Sequence, residues 1–181
     1  MDGETSPKPA GEPSPACAAE GGTQLSDSWT LWAHLPHDTD WTLKSYKQIM
    51  TFSTAEEAVG LMLALPEALV RNCMLFVMRK GVVPTWEDDK NRNGGSFSFK
   101  VNNKSVGPVW RKLVYSLVGN TLSASDAARS DVNGVTISPK KNFCIIKVWM
   151  ASCKHKDPSA LTEIEGLSQA GCLFKKHVAT S

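Results

Sequence analysis

Strand-like segments come in pairs along this chain, and each pair is followed by one helix-like segment. "WTLWAHL" from Trp29 and "SYKQIMTF" from Ser45 read as the first two strands. Ser53 to Leu65 reads as a helix, because Thr54 and Glu57 have capping-box spacing and Pro66 lies just past the end. Cys73 to Arg79 is a short apolar run typical of a buried strand, and Phe97, Phe99 and Val101 alternate with polar residues. Pro108 opens a second helix that runs to Gly119-Asn120. "VNGVTIS" and "NFCIIKVWMA" are two more strands around a turn holding Lys140 and Lys141. Asp157-Pro158 is predicted to cap and start a third helix reaching about Ala170. Strand pairs separated by single helices suit an α+β fold, an antiparallel β-sheet with three helices packed on one face. The apolar stripes agree: Ala58, Leu61, Met62 and Leu65 on one helix, Trp110, Leu113, Val114 and Leu117 on the next. The other face is then free for a ligand.

The first residues break this pattern. Residues 1–26 are dominated by Pro, Ala, Gly, Ser and Glu, so they are predicted to be a disordered tail ahead of a single domain over 27–181. The acidic start and lack of an apolar run argue against a signal peptide, and no stretch is long and apolar enough to span a membrane. The net charge of +2 hides a split. Lys8 stands against Asp2, Glu4, Glu12 and Glu20, which leaves the rest of the chain mildly basic, a balance compatible with an anionic ligand. Five scattered cysteines without a CxxC pattern read as free thiols rather than a zinc site. The histidines show no ligand spacing, and no Ser-His-Asp, phosphate-loop or GxGxxG pattern appears. Neither a catalytic residue nor a cofactor nor a metal is expected.

Six tryptophans remain to be placed. Trp29, Trp32 and Trp149 lie in strand patterns and Trp110 on a helical stripe, so these are assigned to the core. Trp41 follows "PHDTD" and Trp86 lies in "PTWEDDKNRNGG", segments of turn-formers and charges with little to bury a ring against. Two rings held in loops can sandwich a flat ligand. Stacking a nucleobase on an aromatic is worth about 1–3 kcal/mol, and a cationic ring gains more. Glu87, beside Trp86, can accept two N–H donors from a ligand edge, and guanine offers that pair at N1 and N2. Nearby lysines would hold phosphates. Asp88 and Asp89 read as a solvated loop, with support of the Glu87 loop as the sharper alternative.

At this point the sequence resembles the eukaryotic translation initiation factor 4E family, which binds the 7-methylguanosine cap of messenger RNA. "WTLW", the loop Trp41, "FSTAEE", "GVVPTWEDDKNRNGG", "VWRKLVYSLVGN" and "IIKVW" carry the likeness in the family's order and spacing. The resemblance implies a curved antiparallel β-sheet with the three helices on its convex face and the cap pocket on the concave side, with Trp41 and Trp86 sandwiching the methylated base and Glu87 reading the guanine edge. It implies a phosphate contact from Lys140, with Lys141 the alternative if the register slips. It further implies a cytoplasmic, non-enzymatic protein acting in translation initiation or its regulation, with one copy of the chain sufficing for the 5′ end of a capped message.

Departures from the family are as informative. A tryptophan that anchors the scaffold-type initiation factor is replaced by Val59, and an acid on the second helix by Lys112. Ser96 replaces a basic residue, Phe97 a tryptophan and Ile145 a phosphate-contacting lysine, and the family's final strand is expected to be missing or reduced. Val59 and Leu63 lie four residues apart on a flank turned from the core stripe, a groove for the scaffold or for a divergent regulatory partner. A cap-binding repressor that sequesters messages is the alternative within this class. An enzyme acting on capped nucleotides and a methyl-ammonium reader are the alternatives outside it.

Overall fold

The computed structural model describes residues 21–177; of the tail expected over 1–26, residues 1–20 lie outside them. The strands are β1 Gln24–His34, β2 Tyr46–Thr54, β3 Met74–Arg79, β4 Gly95–Asn102, β5 Val132–Pro139, β6 Phe143–Met150 and β7 Leu173–Lys176. They form one curved sheet in the order β2-β1-β3-β5-β6-β4-β7, with antiparallel pairing throughout. β1 begins at Gln24, so residues 24–26, assigned above to the tail, belong to the sheet.

The helices are α1 Ala55–Ala64, α2 Glu67–Asn72, α3 Val106–Val118 and α4 Asp126–Ser130. α1 starts on a complete capping box: Thr54 Oγ1 accepts the Glu57 amide, and the Glu57 carboxylate accepts the Thr54 amide at 3.1 Å. Its stripe places Ala58 and Met62 in the core, and that of α3 buries Trp110, Leu113, Val114 and Leu117. Between the helices and the sheet lies one apolar core. It takes alternate residues from each strand, among them Trp29 and Leu31 of β1, Leu75 and Val77 of β3, and Ile146 and Val148 of β6.

The sheet's other face carries a smaller cluster of Phe76, Met78, Val82 and Trp149, with Trp32, Tyr46 and Met74 against it. Trp32 and Trp149 therefore do not join Trp29 and Trp110 in the helix-side core. Their positions are even-stepped from those of the concave-face residues, and the two-residue repeat of a strand fixes the side.

One expectation about the C-terminal region is corrected. Asp157 does cap, accepting the Ser159 amide at 2.9 Å, but only a 3-10 turn follows, Pro158–Ala160. No helix runs to Ala170. The chain instead crosses α3 in extended and turn conformations, burying Leu161 and Leu167. Gly166 sits at φ 92°, where an added Cβ would lie 2.4 Å from Val109 Cγ2, so close passage over α3 takes the place of helical propagation. The last described strand, β7, is only four residues long and pairs with β4, Phe97 opposite Phe174. At the start of β4 an added Cβ on Gly94 would lie 1.8 Å from the Met150 carbonyl oxygen, which explains the Gly-Gly pair there.

Candidate cap-binding site

Trp41 and Trp86 reach the same cleft on the concave face, a space of about 300 Å³ floored by Tyr46, Met74, Phe76 and Trp149 and edged by Pro84, Thr85 and Glu87. The two residues are 61% and 46% exposed, which sets them apart from the buried Trp29, Trp110 and Trp149.

Trp41 stands on a loop ordered by its own acids. Asp38 accepts the Asp40 amide at 2.9 Å, and Asp40 accepts the Thr42 amide at 2.8 Å and the Thr42 hydroxyl at 3.0 Å. The hydrogen bonds from Thr42 hold the Asp40 carboxyl below the usual range. Beneath Trp41 lies buried His34, ring centroids 4.2 Å apart and planes 6° from parallel. His34 Nε2 donates to the Asp40 carbonyl at 2.9 Å, and its ring meets Tyr46 edge-on, which in turn meets Phe76. The stack ties the loop to the sheet.

The Trp86 loop is built around Asn91, which is fully buried. Asn91 Nδ2 donates to the carbonyls of Val83 and Thr85 at 2.9 and 2.8 Å, and Asn91 Oδ1 accepts from Asn133 Nδ2 at 2.9 Å. His177 Nδ1 donates to the Asn91 carbonyl at 2.8 Å. Asp88 accepts the amides of Val83 and Lys90, so it shapes the loop, whereas Asp89 pairs at the surface with Arg92. The side chain of Glu87 is exposed at the cleft edge. Burial, and then the charge of Glu87, push the Tyr46 hydroxyl up.

Beyond the cleft, a depression of about 250 Å³ joins Met74, Phe76 and Trp149 to Thr136, Ser138, Lys140, Ile145 and Lys147. Lys140 thus lines a surface next to the ring cleft. Lys141 is exposed at the hairpin tip and lines none of the depressions described. Lys147 was not among the sequence candidates. It is half-buried on the concave face; burial, then Lys175 and Lys140, push its ammonium down. The two-residue period of β6 from Trp149 could have found it.

On the helical side, Val59 and Leu63 are 43% and 65% exposed on α1. Lys112 is ion-paired with Glu165 from the segment that crosses α3. That contact was invisible while residues 157–170 were read as a helix. The described residues contain no cluster of three or more metal-ligating side chains and no helix long and apolar enough to cross a membrane.

A curved α+β sheet with two exposed tryptophans in one cleft on its open face has the shape of a site that could hold a flat aromatic ligand. A family model described as eukaryotic initiation factor 4E matches residues 24–175, and the chain belongs to that family. Translation initiation factor 4E-2 of Schizosaccharomyces pombe is 32% identical over 139 residues, spanning 74% of this chain and 56% of that protein. Initiation factor 4E of Candida albicans is 30% identical, spanning 71% of this chain and 65% of its own length. The chain thus covers less than two thirds of these two relatives. Among solved structures, the fold matches Ascaris suum eIF4E-3 in complex with an m7G cap at a TM-score of 0.67 and 19% identity, covering 76% of this chain and 78% of that one. It also matches a schistosome eIF4E complexed with m7GpppG and 4E-BP at a TM-score of 0.68 and 23% identity, covering 75% and 76%.

Proposed function

We propose that the chain binds the 7-methylguanosine cap of messenger RNA, without catalysis, and acts in translation initiation or its control in the cytoplasm. The observation that carries this reading is the meeting of Trp41 and Trp86, from separate loops, in one cleft with Glu87 at its edge. The methylated base, positively charged, lies between the rings and gains both stacking and cation–π attraction. Glu87 accepts from guanine N1 and N2, and the charge on the acceptor strengthens both bonds. Lys140, beside the floor tryptophan, meets the phosphates, with Lys141 the alternative. The test is quenching of tryptophan fluorescence by 7-methyl-GTP and GTP. The methylated nucleotide is expected to bind far tighter, and equal affinities would defeat the charged-sandwich mechanism.

The helical face supports a protein partner as well. Val59 and Leu63 present an exposed apolar flank. Without the family's tryptophan and acid, that flank suits a divergent regulatory partner better than the usual scaffold, and the protein then regulates or represses rather than recruits.

A further inference from the structure

The concave face carries a second basic surface beyond the cleft. Beside Trp86, and not touching Trp41, runs a trough of about 320 Å³, lined by Trp86, Trp149, Ser96, Ser98, Lys147, Lys175 and Lys176. Strand pairing explains its shape. In β4, Ser96 pairs with Trp149 on one side and Lys175 on the other, and Ser98 pairs with Lys147. Small hydroxyl side chains thus form the floor along the middle strand. Larger side chains of β6 and β7 form the walls, which stand about 10 Å apart at two strand spacings.

We propose that this trough binds the phosphodiester backbone of the RNA that follows the cap. The inference rests on the cleft being a cap site, which fixes where such a strand begins. Trp86 and Trp149 line both the cleft and the trough, so a strand leaving the one enters the other. No carboxylate lines the trough, and none of Lys147, Lys175 and Lys176 forms an ion pair among the described residues. Lys147 is half-buried with like charge nearby, an arrangement that a bound anion relieves. The serine hydroxyls donate to phosphate oxygens as well. The side of Trp86 turned to the trough offers a surface on which a following base can stack.

The test titrates the full chain with 7-methyl-GTP and with a capped oligoribonucleotide over a range of salt concentrations. The oligonucleotide is expected to bind tighter and with the steeper salt dependence. Replacing Lys175→Ala and Lys176→Ala together should lower its log–log salt slope by about 1.4, at about 0.7 per lost contact, and weaken it about tenfold or more. Affinity for 7-methyl-GTP should stay within about twofold, since these lysines lie outside the cleft and its phosphate depression. Lys175→Arg with Lys176→Arg should keep the slope, which separates lost charge from a disturbed β7. A double alanine variant that binds both ligands with wild-type affinity and slope overturns the trough proposal. Failure of the wild type to bind 7-methyl-GTP overturns the cap reading instead. In that case an uncapped oligonucleotide whose salt slope ignores the double substitution overturns the trough too.

Discussion

Trp41 lies flat on His34, ring centroids 4.2 Å apart, and His34 is held beneath it by a hydrogen bond to the Asp40 carbonyl, one residue before the ring it supports. The stack orders an otherwise exposed loop tryptophan before any ligand arrives, so part of the entropy cost of binding is met in the free protein. His34→Ala removes the ring and the loop anchor together. Cap affinity should fall by about 1 kcal/mol, near fivefold, the usual worth of an aromatic pair. His34→Phe keeps the stack and should recover a large part of that loss. Fluorescence titration of both variants checks this, and equal losses would assign the effect to the hydrogen bond alone.

Glu87 and Asp89 stand two residues apart in one acidic run, yet Glu87 edges the cleft and Asp89 turns to Arg92. Glu87→Ala should cost about 2 kcal/mol of cap affinity, because two donors of the bound base then lack an acceptor. Asp89→Ala should leave affinity nearly unchanged. The reverse ranking in a titration would move the edge-reading role to another acid.

How far the sequence could be read depended on the range of each interaction. The α1 cap was legible because Thr54 and Glu57 act across three residues. β1 to β6 were legible as short apolar runs or as side chains repeating every two, whereas β7, four residues long, was not read. α2 and α4, of six and five residues, are too short to show a stripe and were missed. The helix expected from Asp157 failed because a capping residue starts a helix without propagating one, and Gly166 meets Val109, far away in sequence. The loop tryptophans stood out by being apolar in polar company. Their supports did not: His34 and Asn133 read as strand residues, and Asn91 as a turn former. Lys175 and Lys147 come together only through pairing of β4 with both β6 and β7.

Asn91 holds the Trp86 loop by its side chain, and its role is structural first. Asn91→Ala leaves the buried carbonyls of Val83 and Thr85 and the Asn133 amide short of partners. Chemical denaturation should register a loss of about 2–4 kcal/mol. Asn91→Asp should be no better, since a carboxylate cannot donate to those carbonyls. Cap affinity should fall in both, because Trp86 and Glu87 ride on the same loop. A stability within about 0.5 kcal/mol of wild type would mean that the loop holds without Asn91.

His177 gives a pH signature. Burial pushes its pKa down from the ordinary 6.5, and the nearby Lys147 adds to that, against the opposing bond to the Asn91 carbonyl. A base with a lowered folded pKa binds fewer protons folded than unfolded. Its contribution is therefore intact above about pH 6.5 and is lost as pH falls through that value toward the lowered folded one. Carboxylates also weaken the fold in acid, so the comparison is with His177→Gln. The melting temperature of the wild type should drop more steeply than that of the variant between about pH 7 and pH 5. Parallel curves would mean that His177 titrates normally in the fold.

Val59 and Lys112 mark the face where a helical partner is proposed, and the two sites differ in how reversible their divergence is. Val59 is exposed on α1, with Leu63 one turn further on, so a larger ring there would extend an existing apolar flank rather than disturb the core. Lys112 is already neutralised by Glu165, whose carboxyl the lysine holds below its usual range. The missing ring is therefore the larger obstacle to a partner of the 4E-binding type, because aromatic anchors at such interfaces often carry about 2 kcal/mol or more. A 4E-binding peptide should bind the wild type weakly, and Val59→Trp should strengthen it by about thirtyfold. Leu63→Asp added to Val59→Trp should abolish the gain while leaving 7-methyl-GTP affinity unchanged, since α1 lies on the opposite side of the sheet from the cleft. Calorimetry with the peptide decides it. No gain from the tryptophan would mean that this face takes a partner of another shape, and a gain insensitive to Leu63 would place the peptide elsewhere on the helices.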